Sequence, residues 1–361
     1  MSKKLLCVIG QLGNGGSEKQ LYLFLKHQKK YSASVFVTGP EGGIWAERIK
    51  KDIGCPVCFT GNVSRLSKIS QYRRILKEFK PDTVFSWSFF TNMLVYFSGH
   101  ARFVGSLRQQ FSDENAASWS TKLCLSGKMD ALVVNSSFIK NELASTTFPE
   151  EKIKVILNIF EQDGGGNIKR ENVRKKLISD FSLPQDAVIV AGIGRNSKVK
   201  NFDYFVDVLK EASGRTNCKI HGIIIGSGGE GVKERVKKEG LSRLITLPGE
   251  IPDAKKYLPG ADIFFLSSLK EGLPNVLIEA LASGCACLAA DVSGVRDIFC
   301  KIPHDIRDKM IIKEHDIKTG TARLLELAEN KHLREKCSSF SGTVKEIFDP
   351  ECILKEFEKI L

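Results

Sequence analysis

Ile263-Phe-Phe-Leu266-Ser-Ser-Leu-Lys-Glu271-Gly-Leu-Pro-Asn-Val-Leu-Ile-Glu279-Ala280 is the stretch whose reading decides the fold. Four apolar residues, too few for a helix, run into a Gly-Leu-Pro turn, which is how a strand buried on both faces ends. From Asn275 the apolar residues fall at helical spacing, so a strand over Ile263–Leu266 passes directly into a helix over Val276–Ala282. A strand followed at once by a helix is the repeating unit of a parallel, doubly wound sheet.

The same alternation extends in both directions. Strands are predicted at Leu5–Ile9, Ala33–Val37, Thr83–Trp87, Phe103–Ser106 and Ala131–Asn135, then at Ala187–Ile193, Lys219–Ile225, Leu244–Leu247 and Cys287–Ala290. Helices are predicted between them, among others at Glu18–Lys30, Ser64–Phe79, Phe138–Leu143, Phe202–Ser213 and Gly231–Glu239. Two such series in 361 residues predict an α/β protein of two Rossmann-like doubly wound domains. Gln162-Asp163-Gly164-Gly165-Gly166-Asn167 is the most flexible composition in the chain and marks the boundary. The expected division is 1–163 for an N-terminal domain and 164–345 for a second domain. The amphipathic ending, 346–361, with Ile353, Leu354, Phe357, Ile360 and Leu361 at helical spacing, is expected to pack back on the first domain.

No apolar run approaches the ~18 residues that span a bilayer, and the opening run Leu5–Ile9 is shorter than a signal peptide requires. A cytoplasmic location is expected. The ten cysteines then read as reduced structural thiols, because Cys55 and Cys58 form the single C-x-x-C and no second pair stands at zinc-site spacing. Lys and Arg number 54 against 42 Asp and Glu, a net charge of +12, which favours anionic partners. Arg65, Lys68, Arg73, Arg74, Lys77 and Lys80 cluster on or beside the helix over Ser64–Phe79, which carries few large apolar residues. Such a face reads either as a solvated surface or as a contact for an anionic membrane surface, and hence for peripheral attachment at the inner face of the cytoplasmic membrane.

The chemistry concentrates at the carboxyl ends of the second-domain strands, where open α/β sheets bind ligands. Gly272 and Pro274 make the turn before the helix, and the backbone N–H groups at the helix start, Leu273 and Asn275 among them, offer an anion site reinforced by the helix dipole. Glu271 and Glu279 flank this turn, placed to hold hydroxyls at two ends of one ligand. After another strand comes Gly192-Ile-Gly194-Arg195-Asn-Ser-Lys-Val-Lys200, whose Arg fork and Lys point charge suit a diphosphate. Gly15 and Gly16, after the first strand, let backbone approach a ligand closely.

Together these motifs resemble the family-4 glycosyltransferases over nearly the whole chain. Glu271-Gly-Leu-Pro-Asn-Val-Leu-Ile-Glu279-Ala280 is similar to the family's E-G-x-P-N-x-x-x-E-A. Gly194-Arg195 with Lys200 is similar to its G-R-x-x-x-x-K, and Gly15-Gly16-Ser17-Glu18 to its G-G-x-E. Lys80-Pro81-Asp82, Asn135-Ser136 and Val155-Ile156-Leu157-Asn158 are similar to weaker landmarks. The resemblance implies two Rossmann-like domains facing across a cleft, the GT-B arrangement. It implies a retaining hexosyltransferase that moves sugar from a UDP- or GDP-sugar to a glycan or lipid-linked acceptor in cell-surface polysaccharide synthesis. It further implies that Glu271 holds the donor sugar, Glu279 the ribose, and that Arg195 and Lys200 neutralise the leaving diphosphate. Gly194, Gly272, Leu273, Pro274 and Asn275 would line the donor, and backbone from Pro248 to Ile251 would meet the base. The nucleotide sugar is a substrate, so no cofactor is expected. No D-x-D occurs in the chain, so no metal is expected either. On the acceptor side the histidines common in relatives are replaced by Ser86-Trp87-Ser88-Phe89-Phe90, which leaves Trp87 and Arg108 as candidate acceptor contacts.

Other classes fit fragments of the chain. Gly226-Ser-Gly228-Gly-Glu-Gly231 fits the G-x-G-x-x-G of a nicotinamide-dependent oxidoreductase, with Glu250 about twenty residues on, but it follows a later strand of its domain. A nucleic-acid partner is not expected, since no recognition motif accompanies the charge. A catalytically silent member of the family is disfavoured because Glu271, Glu279, Arg195 and Lys200 are all present.

Overall fold

The computed structural model describes residues 3–110, 118–162, 169–313 and 315–361, so most of the glycine-rich boundary segment, 163–168, lies outside the described residues. The chain divides into two compact units, Met1–Glu161 with Phe348–Leu361, and Gln162–Ile347.

The first unit is a seven-stranded sheet of β1 (Lys3–Ile9), β2 (Tyr31–Val37), β3 (Val57–Phe59), β4 (Thr83–Ser86), β5 (Arg102–Leu107), β6 (Ala131–Val134) and β7 (Ile153–Val155). Its order is β3-β2-β1-β4-β5-β6-β7, every pair parallel. Successive side chains point to opposite faces, so one strand feeds two cores. Leu5, Cys7 and Ile9 pack with Val35, Phe85, Val104 and Val133 on one face, while Leu6 and Val8 pack with Phe36, Val84, Phe103 and Leu132 on the other. This two-sided burial explains why the strands read as unbroken apolar runs.

The helix Gly16–His27 covers the first of these faces, together with the chain's final helix, Pro350–Glu358. Phe357 enters a ring cluster with Phe24, Phe85 and Trp87. Two side chains tie the chain's last residues to the sheet: Thr83 Oγ1 donates to the Leu361 carbonyl at 3.1 Å and Arg102 Nε to the Ile360 carbonyl at 2.9 Å. The second face is covered in part by the helix Arg65–Phe79, capped by Ser64, whose Oγ accepts from Ser67 N. Tyr72, Ile75, Leu76 and Phe79 turn inward, and Arg65, Leu66, Arg73, Arg74 and Lys77 are left exposed.

The second unit is a six-stranded parallel sheet of β8 (Val188–Ile193), β9 (Ile220–Ile225), β10 (Ile245–Gly249), β11 (Ile263–Leu266), β12 (Ala286–Ala290) and β13 (Ile311–Ile312), in the order β10-β9-β8-β11-β12-β13. Helix Phe202–Ser213 packs Phe205 flat against Phe265 of β11, with ring centroids 5.4 Å apart. At the amino ends of the strands, Asp262 accepts from Ile189 N at 2.9 Å and from Arg174 at 2.7 Å, fixing the start of β11 beside β8. Asp82 does the same for Lys4 N and Asp130 for Phe103 N, both at 2.7 Å. The Lys80-Pro81-Asp82 landmark is therefore a register pin at the edge opposite the strands' carboxyl ends.

Candidate active site

In the second unit the order of strands reverses between β8 and β11, which are hydrogen-bonded neighbours whose connections leave in opposite directions. The loops leaving their carboxyl ends must then diverge and open a crevice at this switch point. One loop carries Gly194, Arg195 and Lys200; the other carries Glu271 to Asn275. They are stitched together close to the sheet: Leu269 N donates to the Val199 carbonyl at 2.7 Å and Ser267 Oγ to the Lys200 carbonyl at 2.8 Å.

Lys200 Nζ meets Glu271 Oε1 at 2.6 Å, with side chains 24% and 13% exposed. Ser268 Oγ donates to the same oxygen at 2.6 Å. Both bonds fall on Oε1, so Oε2 faces no partner among the described residues. His315 Nε2 stands 2.9 Å from the Ser268 carbonyl, within hydrogen-bond distance of this turn. Arg195 is exposed and forms no ion pair among the described residues.

Pro274 is the N-cap of the helix Asn275–Ala282, three residues after Glu271. Leu273 and Pro274 are buried, Glu279 partly so. The turn is backed by the loop after β12, where Ser293 Oγ donates to the Gly272 carbonyl at 2.9 Å. Gly294 has φ +80°, and a Cβ there would stand 2.7 Å from the same carbonyl, so glycine is required. Similar closeness explains Gly226: a Cβ would lie 1.8 Å from the Gly194 carbonyl. The G-x-G-x-x-G at Gly226–Gly231 therefore owes its first glycine to the contact between the β8 and β9 loops. Gly226 N also donates to the Gly249 carbonyl at 2.9 Å, which joins the β10 loop with half-buried Ile251 to this row.

The remaining candidates belong to the first unit. Gly15 is the N-cap of the helix Gly16–His27, and a Cβ on it would lie 2.2 Å from Glu18 Oε2. The Glu18 carboxylate folds back over this helix start and accepts from Gln11 Nε2 at 3.2 Å. The acceptor contact expected of Trp87 is corrected: its indole is 1% exposed and packs among Phe24, Phe85 and Phe357. Arg108 lies over that indole, its guanidinium 4.1 Å from the ring centroid.

The sequence reading missed Ser268 and His315. Ser268 stands three residues before Glu271, a spacing a turn closes, and that signal was readable. His315 follows β13, distant in the chain, and nothing local marks it.

Two family models match this chain. Glycosyl transferases group 1 covers residues 173–341 and Glycosyltransferase Family 4 covers residues 14–161. The chain is 24% identical over 347 residues to an uncharacterized glycosyltransferase of Methanocaldococcus jannaschii, covering 82% of this chain and 83% of that protein. It is 24% identical over 238 residues to the N-acetylgalactosamine-N,N'-diacetylbacillosaminyl-diphospho-undecaprenol 4-alpha-N-acetylgalactosaminyltransferase of Campylobacter jejuni, covering 65% of this chain and 60% of that protein. The crystal structure of Anabaena HepE in complex with UDP superposes with a TM-score of 0.81 at 16% identity, covering 99% of this chain and 98% of that one. The chain belongs to the family-4, GT-B-type glycosyltransferases, and the oxidoreductase reading is set aside.

Proposed function

We propose that this glycosyltransferase moves a hexosyl unit from a UDP- or GDP-sugar to a lipid-linked glycan acceptor in cell-surface polysaccharide or glycolipid synthesis. The observation that carries the reading is the meeting of Lys200 and Glu271 at the switch point, beside the start of helix Asn275–Ala282. The diphosphate lies against Arg195, Lys200 and the helix start, the sugar against Glu271, the ribose against Glu279, and the base against backbone near Ile251. Negative charge grows on the leaving diphosphate as its bond to the anomeric carbon breaks. Cations already aimed there lower the barrier without a metal. The acceptor oxygen enters from the face that the diphosphate leaves, its proton passing to a phosphate oxygen, so configuration is retained.

UDP is the first nucleotide to test, since HepE was crystallised with it. A ligand that binds only the native state stabilises it by about 2.7 kcal/mol at a hundredfold excess over its Kd. UDP or GDP is expected to raise the melting temperature and ADP to leave it unchanged; no shift with any of the three would sink the reading.

A lipid-linked acceptor fits the Campylobacter relative, whose name specifies a diphospho-undecaprenol substrate. No helix among the described residues is long and apolar enough to cross a membrane. Attachment is assigned instead to the exposed basic face of helix Arg65–Phe79, where Leu66 is 79% exposed beside Arg65. A basic face with one apolar foot suits an anionic bilayer surface. The protein is expected to sediment with phosphatidylglycerol vesicles at low salt and to be released by salt; recovery in the supernatant at low salt would refute the attachment.

A further inference from the structure

Arg108 follows the carboxyl end of β5, and its guanidinium is stacked on the buried indole of Trp87. Nη1 donates to Asn158 Oδ1 at 3.2 Å, and Asn158 is also approached by Asn135 Nδ2 at 3.5 Å. Nε and Nη2 are shut off from bulk water and bond to nothing among the described residues. Arg108 forms no ion pair with any described carboxylate. Burial lowers its pKa to about 9, so it remains charged at neutral pH with no counter-charge among the described residues.

A desolvated cation of this kind is costly unless something pairs with it. Its stacking on Trp87 offsets part of that cost. The hydrogen-bond pattern says what is lacking. Nε–H and Nη2–H point in the same direction and form the side-on fork of a guanidinium, the edge that takes two oxygens of one oxyanion. Asn158 fills the other edge, and no described residue fills this fork. Four neighbouring carboxyl ends of the first-unit sheet contribute here: Trp87 after β4, Arg108 after β5, Asn135 after β6 and Asn158 beyond β7. That is the edge of the sheet where open α/β folds receive ligands.

We infer that the Arg108 fork is a phosphoryl-binding subsite that takes the phosphate of a phosphorylated acceptor. The inference rests on the lipid-linked acceptor proposed above. The same chemistry is carried by the donor diphosphate, and the test separates the two sources. Arg108 here binds and orients the acceptor; bond making and breaking stay with the second-unit loops.

The full-length protein is first titrated with UDP by calorimetry, which reports on the donor reading alone. Inorganic pyrophosphate is then titrated into the UDP-saturated protein, so that the second-unit site is already occupied. The wild type is expected to bind one pyrophosphate; Arg108→Gln weakens it at least tenfold and leaves UDP affinity unchanged. Arg108→Lys keeps the charge, loses the fork, and falls between them. Arg108→Met, which removes the uncompensated charge, is expected to melt at or above the wild-type temperature without ligand. Pyrophosphate binding that is absent in the wild type, or equal in Arg108→Gln, overturns the inference. A loss that falls on UDP instead assigns the fork to the donor and overturns the acceptor source. A lower melting temperature for Arg108→Met, with pyrophosphate binding intact in Arg108→Lys, makes Arg108 a packing residue and also overturns it.

Discussion

Glu271→Gln is expected to lower sugar transfer by a factor on the order of 10² to 10³ while leaving nucleotide affinity little changed. The substitution keeps size and most hydrogen-bonding capacity, so it isolates the charge. In the wild type both Lys200 and Ser268 bond to Oε1, which fixes the carboxylate rotamer and presents Oε2 outward. An amide holds a sugar hydroxyl less strongly than a carboxylate does, because charge-assisted bonds are roughly twice as strong. The loss should fall on kcat with hexosyl donor and be invisible in UDP binding, since UDP lacks the sugar. Initial rates and a UDP titration on the same preparation decide it. Turnover equal to wild type would remove Glu271 from the site.

Lys200→Ala is the second large effect, about 10²-fold in rate, by comparison with removal of one electrostatic stabiliser elsewhere. Its cause is twofold. The diphosphate loses a cation, and Glu271, only 13% exposed, loses its counter-charge and the bond that orients it. Because the two residues act partly through each other, Lys200→Ala combined with Glu271→Gln should cost less than the two single effects added. Strict additivity of the two rates would mean that the 2.6 Å ion pair has no part in catalysis.

Both sheets were legible because their strands are buried on two faces and bounded by turn residues. Ile263–Leu266 and Phe202–Ser213 have the bounds expected of them. Strands β3, β7 and β13 escaped notice because each is an edge strand of two or three residues, too short for any periodicity, and β3 and β7 also lack a continuous buried run. On the site, loop chemistry was readable where residues act through local geometry, as in the turn from Glu271 to Asn275. The pairing of Lys200 with Glu271 was not, since it depends on β8 lying beside β11. Trp87 misled for a related reason. An aromatic residue at a strand end reads equally as a sugar platform or as core, and Phe357, which covers it, comes from the far end of the chain.

That return of the chain has a consequence for biosynthesis. Ribosomes deliver Phe357, Ile360 and Leu361 only after the whole second unit, yet Phe24, Phe85 and Trp87 need them to close the first core. The second unit is translated in between, at about 5–20 residues per second, and its segment from Gln162 to Ile347 contains its own core. The unit made second is thus able to mature while the one made first still has an apolar face open to water. The nascent chain carries an exposed patch for roughly ten seconds or more, a target for chaperones that disappears only when the final helix docks.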